Sequence, residues 1–189
     1  MTAPAGSSIA LGALLGLAWS SALRAYMVEL AGRESSFDWL GTFGMVLAPG
    51  LIVGAGLGWA DYLRRTGGRR HWRWLAAVPL LFAIAVVLPP GALSGLLTTG
   101  IGGGAVAVPL IGMIGGYAIS GRGPLWGRLL AGIVTLAALV GSIASIPAVN
   151  RELDLTEPHG AWVAVLVVVL LVVLAVASSI PHRRVEATV

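Results

Sequence analysis

The chain contains no cysteine, and its twelve basic residues are all arginine. Disulfides, thiolate metal sites and cysteine nucleophiles are excluded outright. Charge is scarce: 11% of the 189 residues are charged, against about 25% in a soluble domain. The three histidines, His71, His159 and His182, lie outside the apolar runs, so haem held inside a bundle lacks its commonest ligand. Ser94, Ser142 and Ser145 have no His, Lys or Asp placed within an apolar run to activate them, as an intramembrane hydrolase requires. No strand pattern precedes a phosphate-cradling glycine loop, and no paired carboxylates mark a lipid-modifying transferase. An enzyme is therefore disfavoured. No basic soluble surface exists for nucleic acid. Glu152, Asp154, Glu157 and His159 match no EF-hand or zinc spacing and read as a solvated loop. Neither metal nor cofactor is expected.

What is present is hydrophobic length. The composition is 57% hydrophobic with mean hydropathy +0.91. Six apolar runs fall at approximately 8–30, 40–62, 74–95, 97–120, 127–148 and 161–180, each near the ~20 residues that a helix needs to cross a bilayer. They predict an all-α integral membrane protein, a single polytopic domain over residues 1–189. Met1 to Ser8 carries no basic residue, so the first run is read as an uncleaved helix rather than a signal peptide. Arginine in the absence of lysine, with abundant Ala, Gly and Val, suggests a bacterial source.

Loop charge sets the expected orientation. Residues 64–73 hold five arginines; Arg122 and Arg128 follow in the next loop of that parity, and Arg183 and Arg184 in the tail. The opposite connections carry Glu29, Glu34, Asp38, Glu152, Asp154 and Glu157. Alternating six spans places every Arg-rich loop, and both termini, in the cytoplasm of an inner-membrane protein. Pro89-Pro90-Gly91 predicts a turn between the third and fourth spans. The glycine-rich stretch from Gly95 to Gly104 keeps open five spans plus a re-entrant segment. Trp39, Trp59, Trp72, Trp74, Trp126 and Trp162 sit near span ends, the interfacial position for an indole.

The second and fourth spans resemble each other, Gly44 to Ala60 against Gly104 to Ala118, which raises duplication of a hairpin. Each carries a proline near its middle, Pro49 and Pro109. Proline removes a backbone donor, and a freed carbonyl in lipid needs a partner or a protected cavity. The alternatives are a broken helix at a binding site and a packed kink. Glycines recur every four residues: Gly50, Gly54 and Gly58; Gly112 and Gly116; and Gly12 and Gly16, flanked by Ser8 and Ser20. Such stripes let helix backbones approach closely, and they predict a tight core of spans one, two and four. The sixth span, Val- and Leu-rich with no stripe, is expected to face lipid over much of its circumference.

Arg24 continues the first-span stripe. A membrane-embedded charge is costly and marks a functional hypothesis by default; snorkelling to the headgroups is the other reading. Asp38, carbonyls near Pro49, an anion or a lipid phosphate are its expected partners, while Glu29 is expected to pair with Arg33 at i,i+4. Asp61 beside Arg64 and Arg65 reads as an interfacial ion pair. Arg64, Arg65, Arg69, Arg70 and Arg73 are expected to meet anionic lipid at the cytoplasmic face. The functional expectation is small-solute or ion permeation at a site formed by Arg24, Pro49 and Pro109. The alternative is a non-catalytic subunit, assembly factor or scaffold, with a membrane-protein partner or a second copy of the chain.

Overall fold

The computed structural model describes residues 4–88 and 103–185. Helix accounts for all regular structure among them, and four helical stretches are long and apolar enough to cross a membrane: Ala5–Glu34, Trp39–Arg65, Leu125–Val149 and Pro158–His182. The expected turn at Pro89-Pro90-Gly91, Ser94 and most of the Gly95–Gly104 stretch lie outside the described residues.

Helix α1 runs Ala5–Ala31 with no internal proline and ends at Gly32, whose φ of +54° suits only glycine without strain. After a 3₁₀ turn, the Asp38 side chain accepts from the Gly41 amide at 2.6 Å and starts the next helix. That helix is π-helical over Trp39–Leu47 and α-helical as α2 over Ala48–Arg65. The Ala48 amide still bonds five residues back, to the Phe43 carbonyl. Pro49 follows at once. With no N–H to place in either ladder, it stands where the register changes, buried at the junction rather than breaking the helix.

The third run starts as a 3₁₀ helix over Trp72–Leu80, entered through His71 at φ 64° and containing Pro79, before α3, Leu81–Val87. Helix α4 is Gly103–Ile119, α5 is Leu125–Val149, and α6 is Pro158–Ser178 with a 3₁₀ turn to His182. Pro109 is fully buried inside the continuous α4, so this helix is kinked or packed at the proline, not interrupted.

The packing differs from a core of spans one, two and four. α1 and α2 form one antiparallel pair, Gly12 against Gly54 and Gly58, and Gly16 against Gly50 and Gly54. A Cβ on Gly54 would stand 2.7 Å from the Gly16 Cα, and one on Gly12 2.9 Å from the Gly58 Cα. The small residues of α4 receive a different helix. Gly112 faces Leu174, Gly115 faces Ala175, and Gly116 faces Ser178 and Ser179, all on α6 or just past it. The last helix is thus the hub of the bundle on one face, a packing role the expectation of a largely lipid-facing helix did not include, while its other face is exposed. It buries Val163, Val167, Leu170, Leu171 and Leu174 while exposing Val165, Val169, Val172, Val173 and Val176. Both faces are equally apolar because lipid and protein interior are equally apolar, so hydropathy carries no sign of which face packs.

The fold sorts charge onto its two ends. Arg65 reaches Ser8, Gly68 approaches Val185, and the Tyr117 ring meets His182 at 6.0 Å, so these loops and the last turn share one end. Nine of the twelve arginines belong to that end, with Asp61 the one acid there among the described residues. The other end holds Arg24, Arg33 and Arg151 with six acidic residues. Of the tryptophans near span ends, Trp72 departs from the interfacial belt: it is buried against Ala60 and Leu63, whereas Trp39, Trp74 and Trp126 are largely exposed.

Candidate functional site

Arg24 lies in the last two turns of α1 and closes the α1–α2 connection onto the helix. Its guanidinium donates to the Ser36 carbonyl, to the Ser35 hydroxyl at 3.4 Å and to the buried Thr42 hydroxyl at 3.4 Å, and it sits 4.3 Å from the centre of the Phe37 ring. A cation held over an aromatic face and bonded to three oxygens has its charge dispersed locally. Asp38, an expected partner, is engaged instead at the Gly41 amide. Glu29 reaches His159 at 2.7 Å rather than Arg33, and its carbonyl accepts from the Asn150 side chain at 3.4 Å. These contacts join the ends of α1, α5 and α6 opposite the Arg-rich end. Sequence spacing could not find them, because the partners are 121 and 130 positions away.

Pro49 and Pro109 do not join Arg24 around a common space. Pro49 is at the π-to-α junction; Pro109 is buried in α4, whose neighbours Val108 and Ile111 pack on the Ile146–Val163–Val167–Leu171 cluster. The three residues occupy three separate environments.

A cavity of about 630 Å3 lies elsewhere, between α1, α2 and α6. Its floor is buried: Val53, Leu57, Leu170, Leu174 and Phe82 are each 5% exposed or less. Its walls are open: Leu11, Leu15, Val169 and Val173 are between 47% and 62% exposed. The space is therefore a groove facing the surroundings of the bundle. The glycine zipper creates it. With no side chains between them, α1 and α2 approach so closely that the larger α1 residues at 11, 15 and 18 are left to line one wall. Trp19 bridges the groove, its indole donating to the Leu170 carbonyl at 2.8 Å and its ring meeting Phe82 edge-on at 5.4 Å.

The groove is polar at one end only. There Asp61 Oδ2 meets Arg65 at 2.6 Å and Asp61 Oδ1 meets Arg64 at 3.0 Å, while Arg65 also donates to the buried Ser8 hydroxyl at 3.1 Å. Ser7 lines the same end. Arg69, Arg70 and Arg73 lie on the exposed loop beyond it. Sequence reasoning named Asp61 and Arg65 but attached neither to a cavity. The signal, Ser8 at the head of the glycine stripe, was available, since Ser8 and Gly58 mark the crossing that brings Arg65 to α1.

At the opposite end, the Asp154 carboxylate accepts from both the amide and the hydroxyl of Thr156, each at 2.8 Å, and these bonds hold it below the usual carboxylate range. Among the described residues no three His, Asp or Glu side chains converge on a metal-sized site. No family model, curated protein or solved structure matches this chain.

Proposed function

We propose that the chain is a non-catalytic six-span scaffold or subunit of a bacterial inner membrane, with both termini in the cytoplasm and the α1–α2–α6 groove as its working surface. The observation that carries the reading is the character of that groove: apolar along its length, open along its walls, polar at one end, and not extending to Arg24. A solute path would instead need polar groups along its course. Arg24, the charge on which permeation rests, is occupied by the loop it folds back.

Two features support the span count and orientation. The 3₁₀ portion of Trp72–Val87 rises ~2.0 Å per residue, so this sixteen-residue stretch reaches about 28 Å, close to the ~30 Å hydrocarbon thickness. Gly103–Ile119 reaches about 26 Å by the α-helical rise. The gathering of nine arginines at one end favours that end as cytoplasmic.

Reconstitution tests the reading. Proteoliposomes should show no solute or ion flux above protein-free liposomes, and Arg24→Ala should change nothing. An anion flux that Arg24→Ala abolishes would replace the scaffold reading with permeation. The absence of native cysteine makes orientation directly measurable. An impermeant thiol reagent applied from outside should label Ser36→Cys and Leu155→Cys but neither Thr66→Cys nor Arg122→Cys.

A further inference from the structure

Resting on that reading of the groove, we infer that it seats one acyl chain of an anionic phospholipid from the cytoplasmic leaflet, with the phosphate held at Arg65. Its dimensions select the occupant. From Ser7 to Ala22 the lining of α1 extends about 22 Å, longer than the ~15 Å depth of one leaflet's hydrocarbon. Long, apolar and open along its walls, the groove matches an alkyl chain in length and chemistry.

The chemistry of its mouth selects the headgroup. Arg65 uses Nη2 for Asp61 and Ser8 and Nε, at 3.5 Å, for the Asp61 carbonyl. Its Nη1 has no hydrogen-bond partner among the described residues. A planar guanidinium fixed along one edge, with a donor left over on the other, is pre-organised for a phosphate oxygen. Among the described residues Asp61 is the one carboxylate at the mouth, and both Arg64 and Arg65 meet it, which reduces its repulsion of an anion. The surroundings agree in sign, since this mouth opens on the Arg-rich end where Arg69, Arg70 and Arg73 lie. An anionic headgroup and an apolar tail therefore find complementary surfaces at matching ends of one groove.

Native mass spectrometry of the whole protein in mild detergent, titrated with phosphatidylglycerol and with phosphatidylcholine of identical chains, tests the inference. The expected result is one retained phosphatidylglycerol per chain, preferred about fivefold, the factor one basic residue contributes near an anionic surface. Arg65→Gln should remove the preference, Arg151→Gln at the opposite end should leave it in place, and Ala18→Trp, which fills an open wall of the groove, should reduce retention of both lipids. Equal retention of the two lipids by the wild type, or an equal loss in the Arg65 and Arg151 variants, overturns the proposal. A folded Ala18→Trp protein, verified by its circular dichroism, that still retains lipid fully overturns it as well. Loss of lipid preference with no solute flux sinks this inference and leaves the scaffold reading standing. Solute flux sinks the scaffold reading itself.

Discussion

The indole nitrogen of Trp19 donates to the carbonyl oxygen of Leu170 at 2.8 Å, across 151 positions of chain. The same ring meets Phe82, so one side chain links α1 to α6 and to α3 across the groove. Trp19→Phe keeps an aromatic surface and removes the donor, while the Leu170 carbonyl remains in its own helix. The expected loss is about 0.6–1.7 kcal/mol, the range for interhelical hydrogen bonds in membranes, read from unfolding in mixed micelles. Trp19→Ala should cost clearly more because the Phe82 contact goes too. Equal losses in the two variants would mean that the ring contributes nothing.

The zipper of α1 and α2 admits no side chain at its centre. A Cβ on Gly54 would press on the Gly16 Cα and the Gly12 carbonyl, both backbone atoms with no rotamer to change. Gly54→Leu should therefore cost at least the ~1–3 kcal/mol of ordinary overpacking and separate the two helices. Gly141→Leu is the control: nothing lies within 4 Å of its added Cβ, and its effect should stay within about 0.5 kcal/mol. Cysteine cross-linking of Leu11 to Leu57 variants before and after the Gly54 substitution would report the separation.

These two positions also mark how far the sequence could be read. The all-helical class, with helices long and apolar enough to cross a membrane, was legible because the apolar runs approach the length that crossing requires. Glycine spacing shows that a face is flat but not which helix meets it. Gly12 and Gly54 find each other, while Gly112 and Gly116 find α6. The packed face of the last helix stayed hidden for the same reason, since Val163 packs and Val165 does not, yet the two are the same residue. Arg24 was singled out for its cost in lipid, but its partners are hydroxyls, a carbonyl and a ring, none of which announces itself by charge. The groove was invisible because it arises from the mismatch between a close helix pair and a third helix, a property of no single segment.

Glu29 and His159 stitch the ends of α1 and α6 at 2.7 Å, but with 38% and 60% of their side chains exposed. Solvent screens such a pair, so a double-mutant cycle with Glu29→Gln and His159→Ala should give a coupling below about 1 kcal/mol. Asn150→Ala, which removes the neighbouring bond to the Glu29 carbonyl, should add a loss of similar size. A coupling well above 1 kcal/mol would show that this end of the bundle is drier than its exposure implies.

Asp154 makes the α5–α6 connection sensitive to acid. Two bonds from Thr156 favour its charged form, so its folded pKa lies below the ordinary value of ~3.9. The sign follows from linkage: the unfolded chain takes up this proton first, so the contribution is full above the unfolded pKa and is lost as pH falls through the folded one. The turn it fixes matters beyond the charge, because the adjacent Leu153 is buried in the core beside Ile146 and Val163. Thr156→Val removes the hydroxyl donor and keeps the amide, so the Asp154 titration should move part of the way back toward the ordinary value; Thr156→Ser should leave it nearly in place. Carboxyl-carbon NMR titration in micelles reads both. An unchanged midpoint in Thr156→Val would assign the whole effect to the backbone amide.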